Sequence, residues 1–269
     1  MKDGIQPLGS YAEAKRAAAT ISALGGKVSH DIAIILGSGW AGATSSIGET
    51  SFELPAEALP GFSPSAIPGH AGKISSLETR TGKQVLLIAS RTHLYEGKGE
   101  QAVVHPVRTA AACGAKILIL TNGAGGIREN WSPGQPVLIS DHINLTATSP
   151  LEGANFVDLT DLYSQRLRRI ARKLDPSLEE GVYVQFRGPH YETPAEVQMA
   201  KVMGGDIVGM STALEAIAAR EAGLEILGLS LITNLAAGIS QSALSHQEVM
   251  DAGKKAESRI GNLLANIVH

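Results

Sequence analysis

Short unbroken apolar runs recur along this chain, each ending in glycine, small polar or charged residues. Residues 31–36, 85–90, 116–120, 136–140, 182–186, 207–210 and 226–233 are largely of this kind; with the more polar 74–78 they read as strands, the innermost covered on both faces. Helical stretches lie between them, several with a readable start. Ser10 with Glu13, Thr193 with Glu196, Thr212 with Glu215 and Ser245 with Glu248 each have the spacing of a capping box. Pro194 suits the first turn of its helix. Gly25 is expected to close the first helix and Gly114 the one over 99–113, in which Pro106 predicts a kink or restart. Thr160 is expected to cap a helix running through Arg172, with Arg166, Arg168, Arg169 and Arg172 on a solvated face. Strands and helices alternate without repeats or a low-complexity linker. The prediction is one α/β domain over residues 1–269, with a central sheet flanked by helices.

Chemistry gathers where strands are expected to end. Residues 116–126 run from an apolar strand into Thr121-Asn122-Gly123-Ala124-Gly125-Gly126, read as a turn. Glycine lets backbone N–H groups approach a ligand, and successive N–H groups can cradle an anion; a tight turn without a ligand is the plainer alternative. Gly37-Ser38-Gly39-Trp40-Ala41-Gly42 matches the G-x-G-x-x-G spacing. A dinucleotide fold needs a helix, a second strand and an acid about 20 residues on. Glu53 and Glu57 fall near that distance, but in a proline-broken stretch that makes a poor central strand. A small anion held by the glycine turn and the Ser38 hydroxyl fits better than a nicotinamide cofactor.

Further along, Arg91, His93 and Tyr95 alternate and would project to one side if the chain stays extended. An arginine fork beside a histidine suits a bound phosphate. Ser211 precedes a helix N-terminus, where the macrodipole favours anions. Glu196 has a structural explanation as a capping acid, whereas Glu192 before the cap has none. Asn234 ends a buried strand, and His246 falls in the first turn of the last helix, where a neutral imidazole is expected. Residues 60–73 and 146–158 read as loops, the second carrying Phe156.

Composition narrows the class. The chain has 269 residues, 43% hydrophobic and 18% charged, enough for a sizeable core. A net charge of −3 gives no extended nucleic-acid surface, and no apolar run approaches a membrane span. Cys113 is the only cysteine; it lies in an apolar helical run and reads as buried packing. With no signal-like segment at Met1-Lys2-Asp3-Gly4, a cytoplasmic protein is the default expectation.

Taken in order, these motifs resemble the trimeric purine nucleoside phosphorylases, most nearly their bacterial branch. The likeness rests on Gly37-Ser38-Gly39, Arg91-x-His93-x-Tyr95-Glu96-Gly97, Thr121–Gly126, Gly188-Pro189-x-Tyr191-Glu192-Thr193, Gly209–Thr212, Thr233-Asn234 and Ser245-His246. It spans about residues 30–265. The resemblance implies a twisted mixed sheet, a homotrimer, and phosphorolysis of purine nucleosides to free base and pentose 1-phosphate. Purine nucleoside and phosphate would be its partners, with no metal or organic cofactor. By position, Ser38, Arg91, His93, Ser211 and the backbone at Gly123 would hold phosphate. Tyr95, Met210 and His246 would line the ribose, His246 reaching the 5′-hydroxyl. Ala124, Tyr191, Glu192 and Asn234 would surround the base, and Phe156 would reach a neighbouring subunit's ribose. His93, Glu192, Asn234 and His246 are the expected catalytic set. Gly123, Tyr191 and Leu235 stand where mammalian members carry alanine, phenylalanine and lysine. Methylthioadenosine phosphorylases, a dinucleotide-dependent oxidoreductase and a non-catalytic nucleoside-binding module are the competing readings. The pairing of Glu192 with Asn234 argues against the first.

Overall fold

The computed structural model describes residues 9–26, 29–64, 72–239 and 246–269, the side chains of Ser10 and His246 apart. Among the described residues nine strands form one mixed sheet: β1 (Ile32–Ile35), β2 (Glu49–Pro55), β3 (Lys73–Glu78), β4 (Gln84–Ala89), β5 (Ile117–Gly126), β6 (Pro136–Asn144), β7 (Glu179–Gln185), β8 (Ile207–Gly209) and β9 (Glu225–Leu235). Their order is β2-β3-β4-β1-β5-β8-β7-β6-β9. β9 also pairs with β5, so β5, β8, β7, β6 and β9 close on themselves. β5 makes this possible by changing partners. Its first half runs parallel to β1, while Gly125 and Gly126 pair antiparallel with β8.

The apolar runs form strands because both faces are covered. Ala33, Ile35, Leu118 and Leu120 point into one core with helices α1 (Ser10–Gly25), α2 (Glu100–Ala112) and α5 (Ala213–Glu221). Ile32, Ile34 and Ile119 point the other way, to α3 (Gln165–Leu174) and α6 (His246–Val268). That alternation is the period of two along a strand. α4 (Pro194–Val202) packs on a smaller third cluster near β8.

Several local expectations are corrected. Residues 121–126 are not a turn: β5 continues through Gly126. These glycines are needed for close approach, since a Cβ on Gly123 would lie 3.0 Å from the Ser38 carbonyl oxygen and one on Gly125 3.1 Å from Val208. α1 begins at Ser10 with Gly9 at its cap, and it is Gly26, at φ 65°, that turns the chain out. α2 runs through Pro106 as one helix. Ser164, not Thr160, caps α3, its hydroxyl accepting from Leu167 N–H. Thr160 instead bonds back to Asp158. The α3 arginines face solvent as expected, Arg168 being half-buried, and three of them also carry ion pairs: Arg166 pairs with Glu225 at 2.6 Å, and Arg168 and Arg172 pair with Glu180. Gly37–Gly42 leads into a short 3-10 helix (Ala41–Ser46) and then the edge strand β2, which is antiparallel to β3. That is not a βαβ unit, and the dinucleotide reading ends there. The capping box at Thr193 forms as expected, whereas Ser245 lies outside the described residues.

Candidate active site

The strand ends on one side of the closed part of the sheet enclose a cleft of about 330 Å³. The loop after β1 contributes Ser38, the segment after β4 contributes Arg91, His93 and Tyr95, and β5 contributes Asn122 through Gly125. Pro189, Tyr191 and Glu192 follow β7; Val208 through Ser211 come from β8 and its end; Thr233, Asn234 and Ala236 come from β9 and just beyond. Val249 of α6 adds an apolar wall. Every sequence-predicted site residue is therefore gathered here except two. Phe156 is 95% exposed and does not line its own chain's cleft. The His246 side chain lies outside the described residues, although His246 opens α6, the helix that supplies Val249.

One end of the cleft presents a buried cation. Arg91 is buried; its Nε donates to Glu215 at 2.9 Å and its Nη1 to the Thr121 carbonyl at 2.7 Å. Nη2 has no hydrogen-bond partner among the described residues. A buried cationic donor left unpaired is costly unless a ligand takes it. Space for this guanidinium comes from Gly37: a Cβ there would lie 2.4 Å from the Thr121 carbonyl oxygen and 2.6 Å from Arg91 Nη1. Gly37 N–H is tied to Thr121 Oγ1 at 3.0 Å, which fixes the Ser38 loop over β5. Beside Arg91 the chain stays extended at His93, as expected, and then enters a 3-10 turn (Leu94–Glu96). The His93 ring stacks on Tyr95, centroids 4.9 Å apart. Glu96 accepts the His93 backbone N–H at 2.7 Å and lies 3.6 Å from His93 Nδ1. Burial pushes the Tyr95 hydroxyl up to about 12, with the Glu96 carboxylate adding to it, so it remains a neutral donor.

Ser211 closes this end. Its N–H donates to the buried Tyr183 hydroxyl at 3.3 Å, and its hydroxyl lies 3.1 Å from Thr212 Oγ1. Tyr183 passes directly beneath Gly209, where any Cβ would fall 2.2 Å from its hydroxyl oxygen. Gly209 is thus required for close packing rather than for an unusual dihedral angle.

The other end holds a different chemistry. Glu192 is 7% exposed, and its Oε1 has no partner among the described residues. Burial raises its carboxyl above the ordinary range, and neighbouring Glu196 adds to this. Asn234 lines the same cleft; its Oδ1 accepts from Thr233 Oγ1 at 2.8 Å and its Nδ2 donates to the Leu235 carbonyl at 3.1 Å. Nδ2 carries a second hydrogen beyond that bond. Tyr191, 39% exposed, and Met210 add apolar surface to the cleft.

Sequence reasoning gave no site role to Asn122, Gly125, Pro189, Val208, Gly209, Thr233, Ala236 and Val249, which also line the cleft. Asn122 had the clearest available signal: a buried amide at the end of an apolar strand, beside the glycines already singled out.

A buried arginine and a buried carboxylate, each with an unpartnered polar atom among the described residues, thus line one cleft. The model of the phosphorylase superfamily matches residues 31–269. The purine nucleoside phosphorylase of Cellulomonas sp is 59% identical over 258 residues, covering 94% of this chain and 92% of that one. That of Mycobacterium tuberculosis is 54% identical over 255 residues, covering 95% of each. Crystal structures of the Schistosoma mansoni purine nucleoside phosphorylase, one with inosine and one with adenosine, each superpose with a TM-score of 0.87. The inosine complex is 30% identical, covering 96% of this chain and 95% of that one. The chain belongs to the phosphorylase superfamily, among its purine nucleoside phosphorylases.

Proposed function

We propose that this protein catalyses the reversible phosphorolysis of 6-oxopurine nucleosides and deoxynucleosides, inosine and guanosine above all, in purine salvage. The observation that carries this reading is the pairing, in one cleft, of two buried and unsatisfied groups of opposite character: Arg91 Nη2 and Glu192 Oε1. One requires an anion and the other a proton donor.

Phosphate is held by Arg91, Ser211, Ser38, His93 and the backbone at Gly123. The nucleoside lies above it, with Tyr95, Met210 and His246 around the ribose and Ala124, Tyr191, Glu192 and Asn234 around the base. The glycosidic C–N bond breaks with its electron pair leaving on the purine. An oxygen of hydrogen phosphate forms the new bond to the anomeric carbon, and the proton that hydrogen phosphate gives up ends on the purine, which leaves as the neutral base. Positive charge builds on the sugar beside the phosphate oxygens, and negative charge on the purine beside the remaining Asn234 N–H. Preorganised donors of this kind are worth about 2.7–4 kcal/mol each in a dry site.

Glu192 sets base preference. Its carboxylate accepts from the ring N–H of hypoxanthine, or from the ring N–H and amino group of guanine. Adenine presents an unprotonated ring nitrogen there and is repelled. A site that must pair a buried polar group discriminates by about 10⁴ or more. Because a relative has been crystallised with adenosine, this preference is to be read from turnover. The same carboxylate sets this chain apart from a methylthioadenosine phosphorylase.

We further propose a cytoplasmic homotrimer in which Phe156, 95% exposed, enters a neighbour's ribose pocket. No metal or organic cofactor takes part. Incubating the protein with inosine tests the main reading. Hypoxanthine and ribose 1-phosphate should form in step with phosphate consumption; hypoxanthine release independent of phosphate would rule it out.

A further inference from the structure

Arg91 keeps its Nη2 group unengaged among the described residues, because its other two nitrogens each hold an acceptor. Its Nε is held by Glu215 Oε1 at 2.9 Å and its Nη1 by the Thr121 carbonyl at 2.7 Å. Glu215 is fully buried. An acid three residues into a helix ordinarily caps the backbone, and Glu215 Oε2 does accept Thr212 N–H, at 2.8 Å. That duty occupies one oxygen; the other reaches across to Arg91.

Thr212 is itself under constraint. Its φ of 85° is one that a β-branched residue seldom adopts, and it persists only when the surroundings enforce it. Glu215 holds its N–H, and Asn122 Nδ2 donates to its hydroxyl oxygen at 2.9 Å. The Thr212 hydroxyl also lies 3.1 Å from Ser211 Oγ, and either of the two can be the donor. With Thr212 donating, the Ser211 proton is free for a ligand in the cleft.

We propose that Glu215 is a positioning residue for the phosphate. A single buried carboxylate fixes both the Arg91 fork and the Ser211–Thr212 backbone, so that the two donors converge before the anion arrives. The inference rests on reading this end of the cleft as the phosphate site. A cap alone would stabilise α5 without favouring one substrate over the other, whereas a positioning carboxylate acts selectively on phosphate.

The test is steady-state kinetics of inosine phosphorolysis with Glu215→Gln. Glutamine offers an oxygen to one donor and must turn its NH₂ toward the other. The KM for phosphate should rise about 10- to 100-fold, the range for losing a hydrogen bond to a charged group, while the KM for inosine stays within about threefold. In an Arg91→Ala background, the same substitution should lose most of its effect on phosphate, because its principal route of action is gone. A phosphate KM unchanged by Glu215→Gln, an equal rise in both KM values, or a full multiplicative effect in the Arg91→Ala background would each overturn the proposal. Should Glu215→Gln fail to fold, Glu215→Asp keeps the charge but is shorter by one C–C bond, about 1.5 Å. It should raise the phosphate KM with little change in the inosine KM, and no rise would count against the proposal. Wild-type protein that failed to cleave inosine with phosphate would instead sink the phosphorylase reading.

Discussion

Replacing Glu192 with glutamine should collapse the preference between 6-oxo and 6-amino purine nucleosides without touching phosphate. The side chain is 7% exposed and keeps one carboxylate oxygen unpaired for the base. In the wild type, inosine gives that oxygen a ring N–H. A hydrogen bond to a charged acceptor is worth about 1.5–3 kcal/mol, so the kcat/KM for inosine should fall about 10- to 150-fold in the variant. Adenosine gains in the same exchange, because the amide can donate to the ring nitrogen that the carboxylate repels. If that gain is of similar size, the ratio of inosine to adenosine kcat/KM falls by about 10² to 10⁴. The assay is base release from each nucleoside at saturating phosphate, with the phosphate KM measured alongside as a control. An inosine-to-adenosine ratio that stays put would refute the assignment. So would a phosphate KM that rises as steeply as the inosine effect, since Arg91 and Ser211 form the other end of the cleft.

Other outcomes follow from the same geometry. Because burial raises the Glu192 carboxyl, ionising it opposes folding: its contribution is favourable at low pH and lost as pH rises through the raised value. Glu192→Gln should therefore melt higher than wild type at neutral pH, the gap closing as the buffer is taken down through that range in pH-dependent melting curves. Gly37→Ala would set a methyl 2.4 Å from the Thr121 carbonyl oxygen and 2.6 Å from Arg91 Nη1; phosphate protection against thermal unfolding should disappear, and undiminished protection would contradict the packing described. Burial pushes the Cys113 thiol up to about 12, so a thiol reagent should label it only as the protein unfolds, and rapid labelling of the native state would be the contrary result.

Much of this architecture was legible because its cause is local. A strand covered on both faces must be apolar throughout, and β1 and β5 read that way from Ile32–Ile35 and Ile117–Leu120 alone. Thr193-Pro194-x-Glu196 specifies a helix start with no help from the rest of the molecule. The site residues were legible for another reason. Arg91, Ser211 and Asn234 are polar groups at or just past the ends of buried strands, and Glu192 stands just before the Thr193 cap, where neither packing nor capping gives a reason for them. What could not be read depends on distant neighbours. Nothing local says that Gly123 and Gly125 continue a strand, because the Ser38 loop and Val208 that demand their small size lie far away in sequence. Glu215 shows one oxygen's duty in its own helix and hides the other's, which lies 124 residues away at Arg91. Thr160 and Ser164 are equally good caps on paper, and only the position of Glu225, which accepts from the Ser164 hydroxyl, favours Ser164. The ion pairs of the α3 arginines were hidden for the same reason: Glu180 and Glu225 arrive from β7 and β9.

The account stands or falls on whether one cleft seats an anion and a purine side by side. A crystal structure of the protein with hypoxanthine and sulfate tests this most directly. The anion should lie about 2.7–3.2 Å from Arg91 Nη2 and the Ser211 hydroxyl, with Glu192 and Asn234 at similar distances from the base. Sulfate bound away from Arg91, or hypoxanthine seated without contact to Glu192, would contradict it.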